Sequence, residues 1–376
     1  MVDHKRLQCV RQSPRKARLV LNVEKFLEEK GVLIDETIEK YIPRVFSENA
    51  AVFRNNPPNY AYNIEPLDKA VANPIWEFLE RGGKRWRPAL FLLICEVLGK
   101  NSNEFLDFAI IPEVIHNGTL MVDDIEDKSE LRRGKPCTYK MYGLDIAINA
   151  GNAMYYLPLL PLIERKKQIP PEKARRIYEI YTQEMINLSL GQAMDIAWHR
   201  GLANANNLDE KAYLQMCAYK TGTLSRMSAK MASVLADAND DIVLRLGSLA
   251  ESVGIAFQMR DDELDLTSAE FEKNKGGRGQ DITEGKRTLI VIHTLKVANF
   301  KDKERLIKIL DKHTSNQGLR DEAIELMRRY GSIEYAEQFA EKMIKDSWRQ
   351  VQELLPATDG RDNLKSFIEF LIERKI

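Results

Sequence analysis

No charge of one sign dominates this chain: lysine and arginine number 56 among 376 residues, and aspartate and glutamate also number 56. No global field therefore draws it to nucleic acid or to an anionic membrane, and any ion site must arise from local clustering. Its four cysteines, Cys9, Cys95, Cys137 and Cys217, lie far apart without a C-x-x-C pair. Neither a zinc site nor a disulfide framework is indicated, and a reducing, cytoplasmic setting is expected. The most apolar run, "AINAGNAMYYLPLLPLI", falls short of a membrane span and is broken by asparagines and prolines, so no stable membrane insertion is expected. The basic stretch "HKRLQCVRQSPRKARLV" follows Asp3 and leads into no apolar core, which argues against a signal peptide while leaving a transit peptide or flexible arm open. Alternating strand patterns are nearly absent, as is any short-period repeat.

What the chain does have is apolar residues at helical spacing. Residues 1–60 hold two amphipathic segments, "ARLVLNVEKFLEEKG" and "DETIEKYIPRVFSE", then the polar "NNPPNYAYN", and read as an appendage of two helices and a linker. Residues 61–376 form the main domain. Helices are expected over 66–81, 86–99, 104–128, 143–165, 171–200, 209–237, 240–267, 286–299, 302–313, 318–330, 332–355 and 360–374. The fold class is therefore all-α: a single large helical bundle around a central apolar cavity.

Two segments repeat one acidic pattern. "LMVDDIEDKSELRRGKP" carries Asp123, Asp124 and Asp127, and "FQMRDDELDL" carries Asp261, Asp262 and Asp265. At four-residue spacing Asp123 stacks over Asp127, and Asp261 over Asp265, on one helix face, where like charges destabilise unless something neutralises them. Such hard oxygen ligands suit magnesium, which binds through a few carboxylates plus substrate phosphates. A solvated acidic face is the simpler explanation of one such motif. The apolar "VIHNGTLMV" and "GIAFQM" preceding the two motifs argue instead for carboxylates at the mouth of something buried.

Cations supply the other half. "GGKRWRP" places Lys84, Arg85 and Arg87 on a glycine-initiated turn that opens a helix, where anions are favoured. Arg132 and Arg133 follow the first acidic motif, "YKTGTL" offers Lys220 and Thr221, and "DITEGK" offers Lys286. With the carboxylates they describe a pocket for two diphosphates, one held through metal and one by basic side chains.

G-G-K-R-x-R-P, D-D-x-x-D followed by R-R-G, G-Q-x-x-D-I, K-T and F-Q-x-R-D-D all occur, and from about Pro66 onward the chain resembles the trans-isoprenyl diphosphate (polyprenyl) synthases, most of all the geranylgeranyl diphosphate synthases. The resemblance implies an isoprenoid synthase-like bundle that condenses isopentenyl diphosphate with an allylic diphosphate, and a homodimer. It implies about three magnesium ions on Asp123, Asp127 and Asp261, with Asp124, Asp262 and Asp265 in support. Arg132, Lys220, Thr221, Gln258 and Lys286 would surround the allylic diphosphate. Lys84, Arg87, His116 and Arg133 would hold isopentenyl diphosphate, and the released pyrophosphate would take the proton.

The sequence departs from the family before "QDITEGK", where Gly276 and Gly277 stand at the places of a usual lysine; Lys275 and Arg278 are the candidates for its role. Pro112 is expected to kink its helix. Gly118 and Thr119, about one turn before Asp123, and the small Ala197 are expected to leave the prenyl tunnel deep, with Tyr139, Met154 or Tyr155 as its floor. Geranylgeranyl is the first-choice product and a longer polyprenyl chain the second. Two alternatives are a class I terpene synthase, which would not need the isopentenyl cations, and a non-catalytic partner subunit, which would have degraded acidic motifs.

Overall fold

The structure is a computed structural model in which residues 21–268 and 277–373 are described. It opens with helices α1 (Val23–Tyr41), α2 (Ala51–Asn55), α3 (Glu65–Leu67) and α4 (Asn73–Leu79), with a π-helical turn at Asp68–Ala72 between the last two. Helices α5 (Trp86–Val97) and α6 (Leu106–Glu126) lead to an antiparallel ribbon of β1 (Leu131–Arg132) and β2 (Lys135–Pro136). Then come α7 (Thr138–Tyr142), α8 (Leu144–Tyr156), α9 (Leu160–Glu164) and α10 (Pro171–His199). Helix α11 (Glu210–Cys217) passes through a second π-helical turn, Ala218–Gly222, into α12 (Thr223–Leu235), and α13 (Asp240–Thr267) follows. The remainder is α14 (Gln280–Glu284), α15 (Leu289–Val297), α16 (Phe300–Leu310), α17 (Gln317–Arg329), α18 (Ser332–Val351) and α19 (Asp359–Glu373). Among the described residues β1 and β2 are the only strands, so the all-α expectation holds.

The centre of the bundle follows from composition. Helix α5, "WRPALFLLICEV", is apolar on nearly every side, and all its residues except Glu96 are buried, as suits a helix ringed by others. Helix α12 buries everything but Lys230 and packs against α5, α10 and α13. Fully buried Phe91, Phe108 and Phe367 each contribute roughly 2–3 kcal/mol of apolar burial. Helix starts are satisfied locally: Asn22 accepts from the Lys25 amide (3.1 Å), Asp209 from Ala212 (2.8 Å) and Asn239 from Ile242 (3.0 Å).

Several elements differ from the sequence expectation. The two amino-terminal segments fuse into one helix, α1, which runs through Gly31 and stops just before Pro43, whose ring disfavours helix in the preceding residue. Ile34, Ile38 and Tyr41 of α1 are buried in the same core as α5 and α6. The 143–165 helix is broken by a 3-10 turn at Leu157–Leu159, where Pro158 and Pro161 remove backbone donors. Pro112 lies within α6, which continues on both sides of it. Three stretches, Ser102–Glu126, Leu144–Glu164 and Asp240–Thr267, are long and apolar enough to cross a membrane by length and composition. Their apolar windows are 61, 44 and 61% buried within the bundle, which leaves Leu144–Glu164 the most uncovered.

Candidate active site

Asp123 and Asp261 line one cavity of about 1980 Å³, together with Glu126, Asp127, Asp262 and Asp281. The end of α6 delivers Asp123 and Asp127, and α13 delivers Asp261 and Asp262. Leu120, Met185, Leu188, Ile196, Leu224 and Phe257 line the same cavity and make part of its wall apolar. The shared cavity is what the paired acidic motifs required.

Asp123 accepts from Gln192 Nε2 at 2.8 Å and from Lys220 Nζ at 3.3 Å. Burial raises its pKa, but Lys220, Lys286 and Arg132 outweigh this and hold it well below the carboxylate range. Asp127 behaves oppositely. Burial, reinforced by Asp123 and Glu284, pushes it up to about 7 despite Lys286 Nζ at 3.7 Å. Its Oδ1 is buried and unpartnered. A buried carboxylate with an idle oxygen beside a second carboxylate is a group that a cation would relieve. Among the described residues no three His, Cys, Asp or Glu side chains form a ready-made ligand set. Magnesium tolerates this, since it keeps waters and completes its shell with phosphate oxygens. The residues therefore fit a divalent ion that arrives with a diphosphate.

The other members of the two motifs have distinct places. Asp262 lines the cavity, accepts from Tyr213 Oη (2.9 Å) and Gln258 Nε2 (2.8 Å), and is pushed up to about 8 by burial and by Asp281. Asp124 and Asp265, counted in the sequence reading among the metal residues, are not on the cavity wall. Asp124 is fully buried and takes Arg132 Nε at 2.8 Å, because one residue past Asp123 is about 100° around the helix. Asp265, 1% exposed, accepts the Asp281 amide at 3.1 Å and so pins the start of α14. Both carboxylates hold neighbouring site residues in position.

The cations fall into two groups. Lys220 and Thr221 project from the π-helical turn: Lys220 Nζ lies 2.5 Å from Asp195, and Thr221 Oγ1 donates to Gln258 at 3.0 Å. Lys286 contacts Glu284 and lies 3.6 Å from Asp281. In the second group, Lys84, Arg87, His116 and Arg133 line the same cavity. Arg87 is 4% exposed with an unpartnered Nε, and burial draws it down to about 10 against the pull of Glu113 and Asp261. Arg133 donates to the Gly82 carbonyl and is drawn down to about 10 by burial. A Cβ on Gly83 would sit 3.1 Å from Arg133 Nη2, and its φ of +138° suits only glycine, so this turn needs its glycine. Burial and then Arg87, Arg133, Arg132 and Arg85 push His116 well below the histidine range, leaving a neutral ring. Arg85 is committed elsewhere: it pairs with Asp35 at 2.9 Å and Glu113 at 3.2 Å.

The tunnel residues need the largest correction. Thr119 lines the cavity, but Gly118 does not. Four residues back from Asp123 is nearly in line with it, whereas five residues is about 140° away. Gly118 instead meets α8, and a Cβ there would stand 2.7 Å from the Gly151 carbonyl and 2.8 Å from Met154 Cβ. Ala197 is also off the wall, which Ala193 and Ile196 supply; its carbonyl accepts the Leu202 and Ala203 amides. Of the three expected floor residues Tyr155 lines the cavity, Met154 is buried in the core, and Tyr139 donates to the Ser129 carbonyl (2.9 Å). Lys275 lies outside the described residues. Arg278 pairs with Asp321 at 2.7 Å, away from the cavity wall.

Five residues not singled out by the sequence take part: Gln192 and Glu126, joined by a 2.7 Å bond from the Gln192 amide, with Asp195, Asp281 and Glu284. "GQAMDI" contained the signal for two of them, since Gln192 and Asp195 are three apart and share a helix face.

An all-α bundle with facing acidic motifs and two groups of cations around one apolar shaft has the architecture of an enzyme that handles prenyl diphosphates. Residues 68–327 match the family described as polyprenyl synthetase. The short chain isoprenyl diphosphate synthase of Methanothermobacter thermautotrophicus is 32% identical over 294 residues, covering 78% of this chain and 87% of that protein. The geranylgeranyl diphosphate synthase of Sulfolobus acidocaldarius is 33% identical over 297 residues, covering 78% and 88%. The crystal structure of geranylgeranyl pyrophosphate synthetase from Pyrococcus horikoshii superposes with a TM-score of 0.78 at 32% identity, covering 94% of this chain and 98% of that one. The chain belongs to the polyprenyl synthetase family and is a trans-prenyltransferase of isoprenoid biosynthesis, a class that generally uses divalent metal.

Proposed function

We propose that this enzyme joins isopentenyl diphosphate to an allylic diphosphate, with magnesium, to make geranylgeranyl diphosphate or a longer trans-prenyl chain. The observation that carries this reading is that Asp123 and Asp261 share one cavity whose wall continues into apolar side chains. About three bound magnesium ions, held by Asp123, Asp127 and Asp261, would supply charge neutralisation for the departing diphosphate. Lys220, Lys286 and Arg132 would exchange part of their carboxylate contacts for diphosphate oxygens. Lys84, Arg87 and Arg133 would hold the second diphosphate, with neutral His116 as a hydrogen-bond donor beside them. In the reaction the allylic carbon–oxygen bond breaks and its electron pair leaves with the diphosphate. The isopentenyl double bond donates its pair to that carbon, and the departed diphosphate accepts the proton whose loss restores a double bond.

A homodimer belongs to this reading. Leu144, Ile148 and Tyr156 of α8 and Tyr178, Ile186 and Leu190 of α10 are exposed apolar side chains, the kind of patch a two-fold partner would cover. Incubation of the purified protein with magnesium, isopentenyl diphosphate and an allylic primer, followed by chromatography of the dephosphorylated products, tests the whole. Prenols longer than the primer are expected. Cyclised hydrocarbon from a single prenyl diphosphate would indicate a terpene synthase, and no product from the lone chain would indicate a partner subunit.

A further inference from the structure

Away from the cavity, four polar side chains, Glu184, Asn187, Thr223 and Arg226, are buried where α10, α12 and α13 meet, with Lys230 and Glu251 half-buried beside them. Glu184 of α10 is 0% exposed and receives Arg226 Nε at 2.8 and 2.9 Å, Lys230 Nζ at 3.0 Å, Thr223 Oγ1 at 2.6 Å and Asn187 Nδ2 at 3.2 Å. Arg226, 8% exposed, continues to Glu251 of α13. Two carboxylates face two cations, and Glu184 stays below its ordinary pKa, because Arg226, Lys230 and the Thr223 hydroxyl outweigh its burial. None of Glu184, Arg226, Lys230 or Glu251 lines the cavity.

A buried ion network is a poor source of stability, since well-packed apolar residues do as well or better. Its placement suits another task. Each tethered helix carries site residues farther along: Gln192 and Asp195 on α10, Lys220 and Thr221 on the turn entering α12, and Gln258, Asp261 and Asp262 on α13. Between network and site the backbones touch through glycine. A Cβ on Gly191 would lie 2.3 Å from the Lys220 nitrogen, and one on Gly254 would lie 2.8 Å from Gly222 Cα and 3.2 Å from the Thr221 carbonyl. The turn bearing Lys220 and Thr221 is thus wedged between α10 and α13. Gly247, Glu251, Gly254, Gln258 and Asp262 follow one face of α13, so the face that holds the network also holds the second acidic motif.

We propose that the Glu184–Arg226–Glu251 network is a positioning device, which fixes α10 and α13 on either side of the Lys220 turn and so sets how the second acidic motif and Lys220 meet the allylic diphosphate and its metal. This rests on the prenyl synthase reading. Its action is geometric: a slackened network lets the three helices part, and a displacement near 1 Å at the reacting groups costs on the order of a hundredfold in rate. The second diphosphate site, built on α5 and the β1–β2 ribbon, does not pass through the network.

Three variants test it: Arg226→Lys, Arg226→Met, and the charge-balanced pair Glu184→Gln with Arg226→Met, which leaves Lys230 and Glu251 as the one remaining cation and carboxylate. The double variant removes the uncompensated buried charge, which keeps the test valid if Arg226→Met alone fails to fold. Steady-state kinetics are read beside calorimetric binding of a geminal bisphosphonate in magnesium, which needs no turnover. In the folded charge-balanced double variant kcat is expected to fall by tenfold or more, on the order of a hundredfold. Bisphosphonate affinity should weaken in parallel, KM for isopentenyl diphosphate should hold within about twofold, and Arg226→Lys should recover part of the loss. Wild-type kcat and bisphosphonate affinity in a folded charge-balanced double variant, with only melting temperature altered, would overturn the proposal. A wild-type enzyme that makes no prenyl product would instead overturn the functional reading on which it rests, and the proposal with it.

Discussion

Gly118 and Gly151 meet where α6 crosses α8, so closely that a Cβ on Gly118 would stand 2.7 Å from the Gly151 carbonyl oxygen. The absence of a side chain at 118 therefore serves helix packing and does not widen the prenyl tunnel. Gly118→Ala is expected to destabilise the protein by about 1–3 kcal/mol, seen as a lower melting temperature. The product distribution of the surviving enzyme should be unchanged.

Tyr155 is the residue at that level which does reach the cavity, and its carbonyl accepts the Tyr181 hydroxyl at 2.8 Å, tying α8 to α10. Tyr155→Ala opens the shaft by a ring. Longer prenols should appear by chromatography, with the primer consumed at a similar rate.

Asp261 and Asp265 should part company despite their four-residue spacing. Asp261 lines the cavity, so Asp261→Asn is expected to raise the magnesium needed for half-maximal activity and to lower kcat by roughly a hundredfold or more. Asp265 accepts the Asp281 amide, so Asp265→Ala is expected to cost about 1–3 kcal/mol of stability through the orphaned amide. Magnesium titrations and thermal melts of the two variants separate these effects.

His116 is held neutral by burial and by four arginines. Its folded pKa lies below the unfolded value of about 6.5, so below that pH the unfolded chain binds a proton that the folded chain refuses. Stability contributed by this residue is present above the unfolded value and is lost as pH falls beneath it. The melting temperature of the wild type should drop more between about pH 7 and pH 5 than that of His116→Gln.

Magnesium alone should raise the melting temperature little, because no three carboxylates are preassembled among the described residues. Magnesium with inorganic pyrophosphate should raise it clearly, by about 2.7 kcal/mol of added stability at a hundredfold excess over the dissociation constant. A chelator should abolish the gain.

Helix content and the carboxylate partnership were legible because both rest on short-range periodicity. Apolar spacing marked α5, α6, α10 and α13 within a few residues, and four-residue spacing put Asp123 with Asp127. What spacing cannot reveal is which side of a helix faces a partner and which faces a void. Small size alone suggests Gly118 and Ala197 for the tunnel, yet Gly118 is small because α8 crosses there, and Ala197 lies off the cavity wall. Asp124 and Asp265 share the composition of their motifs, yet each points to a polar neighbour supplied by another segment. The π-helical turn at Ala218–Gly222 was invisible for a related reason, since its extra residue is held in place by Gly191 and Gly254 on other helices.

The bond between Asp35 and Arg85 reaches from the first described helix to the turn that leads Lys84 and Arg87 to the cavity wall. Helix α1 thus packs into the main core and braces this turn from behind. A chain trimmed to the family-matched segment would lose that brace, leaving Arg85 with Glu113 as its carboxylate partner and loosening the turn that carries Lys84 into the start of α5.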